Sequence, residues 1–150
     1  MKKIALSLIA GFSLLGASAA ELEWLTDLAQ AKSLAKAENK LVLMDFTGSD
    51  WCPPCKKLKK DVFSSEEFAT FAKAHLVLVE VDFPKTKKVM EKQSDELKKA
   101  NQALSEKFAI EAYPTVIVLS PEGKQLSKDT GYDGSSAKEF VAKLEKFTKK

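Results

Sequence analysis

The sequence predicts an α/β sandwich: a central mixed sheet, helices on both faces, and a C-terminal β-hairpin followed by a last helix. Three observations carry that prediction. Two apolar runs, over 41–46 and 76–81, read as strands buried on both faces, and helical patterns flank each of them. A β-branched run over 115–119 stands between Pro114 and Pro121, and the Pro121-Glu122-Gly123 turn returns a further strand over about 125–131, antiparallel to it. Ser136 with Glu139 three residues on is a capping box that opens the closing helix. At 150 residues the chain accommodates one domain with a core of its own.

The first twenty residues stand apart from that plan. Lys2-Lys3 form a charged lead, 4–16 an apolar stretch, and Ala17-Ser18-Ala19 a small-residue cleavage site, so 1–20 is expected to be a signal peptide and 21–150 the folded domain. The apolar stretch is short for a membrane span, so no permanent anchor is expected. The expected destination is outside the cytosol, in the periplasm. Cleavage would remove Lys2 and Lys3 and leave 22 lysines against 21 acids. All 24 basic residues are lysines scattered among the acids, which suits a solvated surface rather than a nucleic-acid footprint. Two cysteines in an exported chain permit one intramolecular bridge.

Along the domain, Leu22-Glu23-Trp24 reads as a short strand or a lead-in. Thr26 is the expected cap of a helix running to Glu38, with Leu25, Leu28, Ala31 and Ala35 inward and Asn39 as a left-handed stop. The strand over 41–46 follows. After a helix that begins near Cys52, Ser64-Ser65-Glu66-Glu67 reads as a capping box for a further helix burying Phe68, Phe71 and Ala72. Behind the 76–81 strand, 85–92 is a polar, lysine-rich surface insertion of undefined form. A helix over 95–108 should turn Leu97, Ala100, Leu104 and Phe108 to one face. The closing helix should bury Phe140, Leu144 and Phe147.

The chemistry concentrates at Thr47-Gly48-Ser49-Asp50-Trp51-Cys52-Pro53-Pro54-Cys55-Lys56-Lys57. A buried strand precedes it, and Cys55, Leu58 and Val62 behind it lie on one helix face. That order places Cys52 at a helix N-terminus and turns Cys55 inward. Unpaired N–H groups and the positive end of the helix dipole favour a thiolate there, the form that attacks disulfides. Dithiol–disulfide exchange is the expected chemistry.

With Trp51-Cys52-Pro53-Pro54-Cys55 after a buried strand and Tyr113-Pro114-Thr115 before another, the sequence resembles the thioredoxin superfamily from Trp24 to the C-terminus. More closely, it is similar to exported thioredoxin-like proteins that carry Asp-Phe-Thr-Gly-Ser-Asp-Trp-Cys before the redox pair. The resemblance implies a thioredoxin-like three-layer sandwich. It makes Cys52 the attacking nucleophile, Cys55 the resolving thiol, and the two together the redox disulfide. Pro114 matches the family's cis-proline beside that pair, where Trp51 and Tyr113 would line the substrate cleft. Asp45 matches the buried acid that accepts the resolving cysteine's proton, a role that a carboxyl with a burial-raised pKa can fill. There are two departures. One more residue separates Asp45 from Cys52 than in thioredoxin itself, and the 76–81 strand carries no lysine where thioredoxins commonly have one facing the acid.

Rival readings are a closed zinc site, a copper carrier and a structural disulfide. With one histidine, His75, zinc lacks a fourth soft ligand, while Met44, Met90 and His75 sit on elements other than the cysteine pair. A disulfide closing so short a loop would stabilise little. The sequence therefore leads to an exported thiol–disulfide oxidoreductase that reduces or isomerises protein disulfides. It would need no cofactor or metal, would act as a monomer, and would be recharged by an unidentified redox donor protein. A disulfide-introducing oxidase is the alternative that motif and export alone leave open.

Overall fold

Alternation along one central strand divides the core in two. The computed structural model describes residues 21–149, so the expected signal peptide lies outside the described residues. In chain order the elements are β1 (Trp24–Leu25), α1 (Leu28–Glu38), β2 (Leu41–Thr47), α2 (Pro53–Leu58), a π-helical turn (Lys59–Phe63) and α3 (Glu66–His75). Then follow β3 (Leu76–Asp82), α4 (Lys87–Met90), α5 (Asp95–Lys107), β4 (Thr115–Leu119), β5 (Gln125–Thr130) and α6 (Ala137–Thr148).

All seven residues of β2 are buried, because helices cover the sheet on both sides. Leu41 and Leu43 pack with Leu58, Val62, Phe68 and Leu144, the layer of α2, the π-helical turn, α3 and α6. Val42, Met44 and Phe46 face Ala31 and Ala35 of α1, with Leu104 and Phe108 packed against the same cluster. The strand order is β1-β3-β2-β4-β5. β1, β3 and β2 run parallel, β4 is antiparallel to β2, and β5 is antiparallel to β4. The predicted mixed sandwich with its C-terminal hairpin and helix is the fold.

Local signals set most element boundaries. Asn39 ends α1 in the left-handed region at φ 53° and ψ 43°, and the Ser136–Glu139 capping box opens α6. Two expected caps are displaced by one residue. Asp27, not Thr26, caps α1, its carboxylate accepting from Ala29 N at 2.7 Å and Gln30 N at 3.1 Å. Ser65 rather than Ser64 caps α3, accepting from Phe68 N at 3.1 Å. In each case adjacent side chains could serve, and the better-placed oxygen takes the free amides.

Other corrections follow from packing. In α5 Ala100 is exposed and Asn101 is buried, because the inward stripe runs 97, 101, 104, 108 and Ala100 sits a helical step aside. The turn at Lys59–Phe63 is wider than an α-turn, with Ser64 N donating to Lys59 O at 2.9 Å. The extra residue brings Phe63 inward beside Val62, which a strict 3.6-residue period does not foresee. Residues 85–92 include the short helix α4.

Candidate active site

The parallel pairing of β2 with β3 ends at Thr47 beside Asp82, so the segments leaving both strands emerge side by side. One is the cysteine loop. Cys52 N donates back to Gly48 O at 2.9 Å, folding the loop tightly. Gly48 is required for space: a Cβ there would collide with the Trp51 indole. Cys52 then caps α2 in an extended conformation, with Pro53 and Pro54 in its first turn. Neither proline has an N–H. The first amide of α2 to face the Cys52 sulfur is therefore that of Cys55, at 3.4 Å. Cys52 and Cys55 are joined in a disulfide with Cα atoms 5.3 Å apart, and only 2% and 4% of their surfaces are open.

The other segment, after β3, is tied to this loop by contacts that no short-range pattern announces. Ser49 donates to the Asp82 carboxylate through N at 2.9 Å and Oγ at 2.6 Å. The Trp51 indole N–H donates to Phe83 O at 2.7 Å, and Lys85 Nζ lies 3.7 Å over the indole ring. The Asp50 carboxylate accepts from Lys85 N at 3.1 Å and Thr86 N at 2.6 Å. A hydrogen bond with the Thr86 side chain, and after it the backbone bonds from Thr86 and Lys85, hold the Asp50 carboxyl down at about 2. Lys56 Nζ meanwhile donates to the Asp50 carbonyl at 2.9 Å.

Asp50 thus acts as a clasp for the start of the 85–92 segment. Asp50→Ala should release the amides of Lys85 and Thr86 and speed their hydrogen exchange by about tenfold or more, with the sheet amides unaffected. Exchange rates equal to those of the parent would show that the segment holds itself.

Tyr113–Pro114 is a cis peptide bond, and Pro114 is buried where β4 begins. The Tyr113 ring meets Trp51 edge-on with centroids 5.7 Å apart and tilts against Phe83 at 5.4 Å. Trp51 and Tyr113, from distant parts of the chain, therefore share one aromatic wall next to Cys52. Phe83 completes it, a residue that sequence reasoning missed. Its one available signal is its place directly after a strand paired with β2.

Asp45 lies under the redox helix. It follows Leu41 and Leu43 in alternation, so it belongs to the sheet face covered by α2. It is 6% exposed, and its Oδ1 has no hydrogen-bond partner, unlike a carboxylate that caps local backbone. Burial, then the neighbouring carboxylates Glu80 and Asp82, push its carboxyl up to about 8, while Lys59 pulls the other way. The absence of a lysine from the 76–81 strand does not leave Asp45 without a neighbouring cation. Glu80 stands opposite Asp45 in register, and the cation comes instead from Lys59, whose Nζ is 3.8 Å from Glu80 Oε2.

The residues weighed for metal chemistry are dispersed. His75 ends α3 against the Phe71 ring, Met44 is wholly buried on the opposite sheet face, and Met90 is exposed on α4. Among the described residues no group of three His, Cys, Asp or Glu side chains gathers to hold a metal ion. No helix among them is long and apolar enough to cross a membrane.

Comparison with known proteins agrees with this geometry. The family described as Thioredoxin-like domain matches residues 28–148. The disulfide bond reductase DsbH of Chlamydia pneumoniae is 35% identical over 127 residues, covering 85% of this chain and 73% of that protein. A solved structure of a DsbH oxidoreductase superposes with a TM-score of 0.76 at 30% identity, covering 97% of this chain and 93% of the other. A thioredoxin from Thermus thermophilus shares the fold, with a TM-score of 0.64 at 20% identity over 85% of this chain and 88% of its own. With a matching family domain over most of its length and a buried cysteine pair at the end of its central strand, the chain belongs to the thioredoxin-like family and is a thiol–disulfide oxidoreductase.

Proposed function

We propose that the chain is exported and reduces or isomerises protein disulfides in the periplasm, Cys52 attacking and Cys55 resolving. The lead over 1–20 supports export, and the name of the Chlamydia pneumoniae relative, a disulfide bond reductase, supports the direction. The Cys52 thiolate attacks a substrate disulfide, forming a mixed disulfide and releasing one substrate thiolate. Cys55 then gives its proton to Asp45 and attacks the Cys52 sulfur, releasing the second substrate thiolate and leaving the Cys52–Cys55 disulfide. Trp51, Tyr113 and Pro114 line the cleft in which the substrate lies. A redox donor protein returns two electrons to the pair, and neither metal nor organic cofactor enters the cycle. The chain works as a monomer in this reading.

One observation carries the direction. A strong oxidant needs its reduced form stabilised by a heavily favoured thiolate. Here Pro53 and Pro54 remove two of the amides that would face the Cys52 sulfur, leaving that of Cys55 at 3.4 Å. Lys56, the nearest cation in sequence, is turned to the Asp50 carbonyl. The thiolate is moderately favoured, so the couple should lie between the thioredoxin and disulfide-isomerase values, about −270 to −180 mV. Equilibration with glutathione buffers measures it. A potential near the roughly −120 mV of a strong oxidant would make this a disulfide-introducing enzyme instead.

A further inference from the structure

We propose that Glu80 is a positioning residue for the exchange reaction: it carries the proton between buried Asp45 and solvent, with Lys59 steering its carboxylate. This rests on the reading of Asp45 as the proton partner of Cys55. The geometry begins with register. Asp45 and Glu80 are direct partners on neighbouring parallel strands, two residues beyond the Leu43–Leu78 pair. Leu43 and Leu78 belong to the cluster under α2, so by alternation both acids project to that side. Neighbouring strands lie about 4.8 Å apart, so the two side chains start from adjacent positions on that face, and the charge of Glu80 bears on Asp45.

The two differ in access. Asp45 is 6% exposed with an unpartnered Oδ1, whereas the Glu80 side chain is 32% exposed and 3.8 Å from Lys59 Nζ. The other charged groups bearing on Asp45 are Asp82 from β3 and Lys59 from the π-helical turn, and β4 offers uncharged Val116 opposite it. Asp82 is engaged by Ser49 N and Oγ. Lys59 as an ammonium has no lone pair to receive a proton. Glu80 adjoins Asp45, meets water and keeps a free acceptor capacity.

The step balances. As Cys55 attacks Cys52 Sγ, its S–H proton passes to the Asp45 carboxylate. The Cys52–substrate S–S bond breaks, and its electron pair leaves on the substrate sulfur. Asp45 hands the proton to the Glu80 carboxylate, which releases it to water. When the donor's thiolate opens the Cys52–Cys55 disulfide, the same route runs backwards and protonates Cys55.

The test uses the full folded domain, with Glu80→Gln, Glu80→Asp, Lys59→Gln and Asp45→Asn. Carbon NMR follows the Asp45 carboxyl in the oxidised protein, and insulin-disulfide reduction gives turnover against pH. Glu80→Gln should move the Asp45 titration to lower pH, slow turnover at least fivefold at pH 7, and respond to added imidazole buffer. Glu80→Asp should restore most of the rate, and Lys59→Gln should move the titration to higher pH. A Glu80→Gln protein with the parent's titration and pH profile overturns the proposal. The Asp45→Asn arm separates the two readings. If it leaves the profile intact, the Asp45 reading fails and the relay with it; if it flattens the profile while Glu80→Gln does not shift it, the relay alone fails.

Discussion

Cys52→Ser should lower protein-disulfide reduction on the order of a thousandfold or more, while Cys55→Ser should accumulate substrate linked through Cys52. The asymmetry follows from position. Cys52 caps α2 and receives the Cys55 amide at its sulfur, which favours the thiolate that starts exchange. Cys55 lies one turn along, buried on the face of Leu58 and Val62. A serine at 52 removes the nucleophile outright. A serine at 55 leaves the first attack intact and removes the group that clears the mixed disulfide, so the intermediate persists. Mass spectrometry of the trapped species would also identify clients and donor. Iodoacetamide at mildly acidic pH should label Cys52 first in the reduced protein, and earlier labelling of Cys55 would reverse the assignment.

Asp45→Asn has the second large effect, on two readouts with opposite signs. Turnover should fall about a hundredfold, the scale of a lost acid–base group. Stability should rise, by an amount that grows with pH. The folded protein holds a proton on Asp45 up to about 8, whereas an unfolded aspartate releases it near 3.8. Between those values the unfolded state gives up a proton that the folded state keeps, so rising pH favours unfolding by up to about 1.4 kcal/mol per unit. Below 3.8 this penalty is absent, and above 8 it is complete. Asparagine does not ionise, and whatever its amide costs in that dry site is the same at every pH. Urea unfolding of the oxidised proteins should therefore show a larger gain for Asp45→Asn at pH 8 than at pH 5. An equal difference at both values would mean that Asp45 is not a buried acid with a raised pKa.

What the sequence determined by itself is whatever neighbouring residues dictate to one another. The apolar run before Gly48, the Pro53-Pro54 pair and the Cys55, Leu58, Val62 stripe specify strand, tight loop and helix, and so put Cys52 at the helix start. Ser136 with Glu139 and the left-handed Asn39 were legible for the same reason. Where two adjacent side chains competed for one cap, at Thr26 and Asp27 or Ser64 and Ser65, pattern alone misplaced the helix start by one residue. The tertiary structure decided the surroundings of the redox pair. Asp50 meets Lys85 and Thr86, and Ser49 meets Asp82, across 33 to 36 residues of chain. Glu80 faces Asp45 because β3 pairs with β2 in one register, and a shift of a single residue would turn Glu80 to the other side of the sheet. Periodicity along one strand says which residues share a face. It carries no information on which residue of the next strand lies beside them, since that is set by packing of both sheet faces at once.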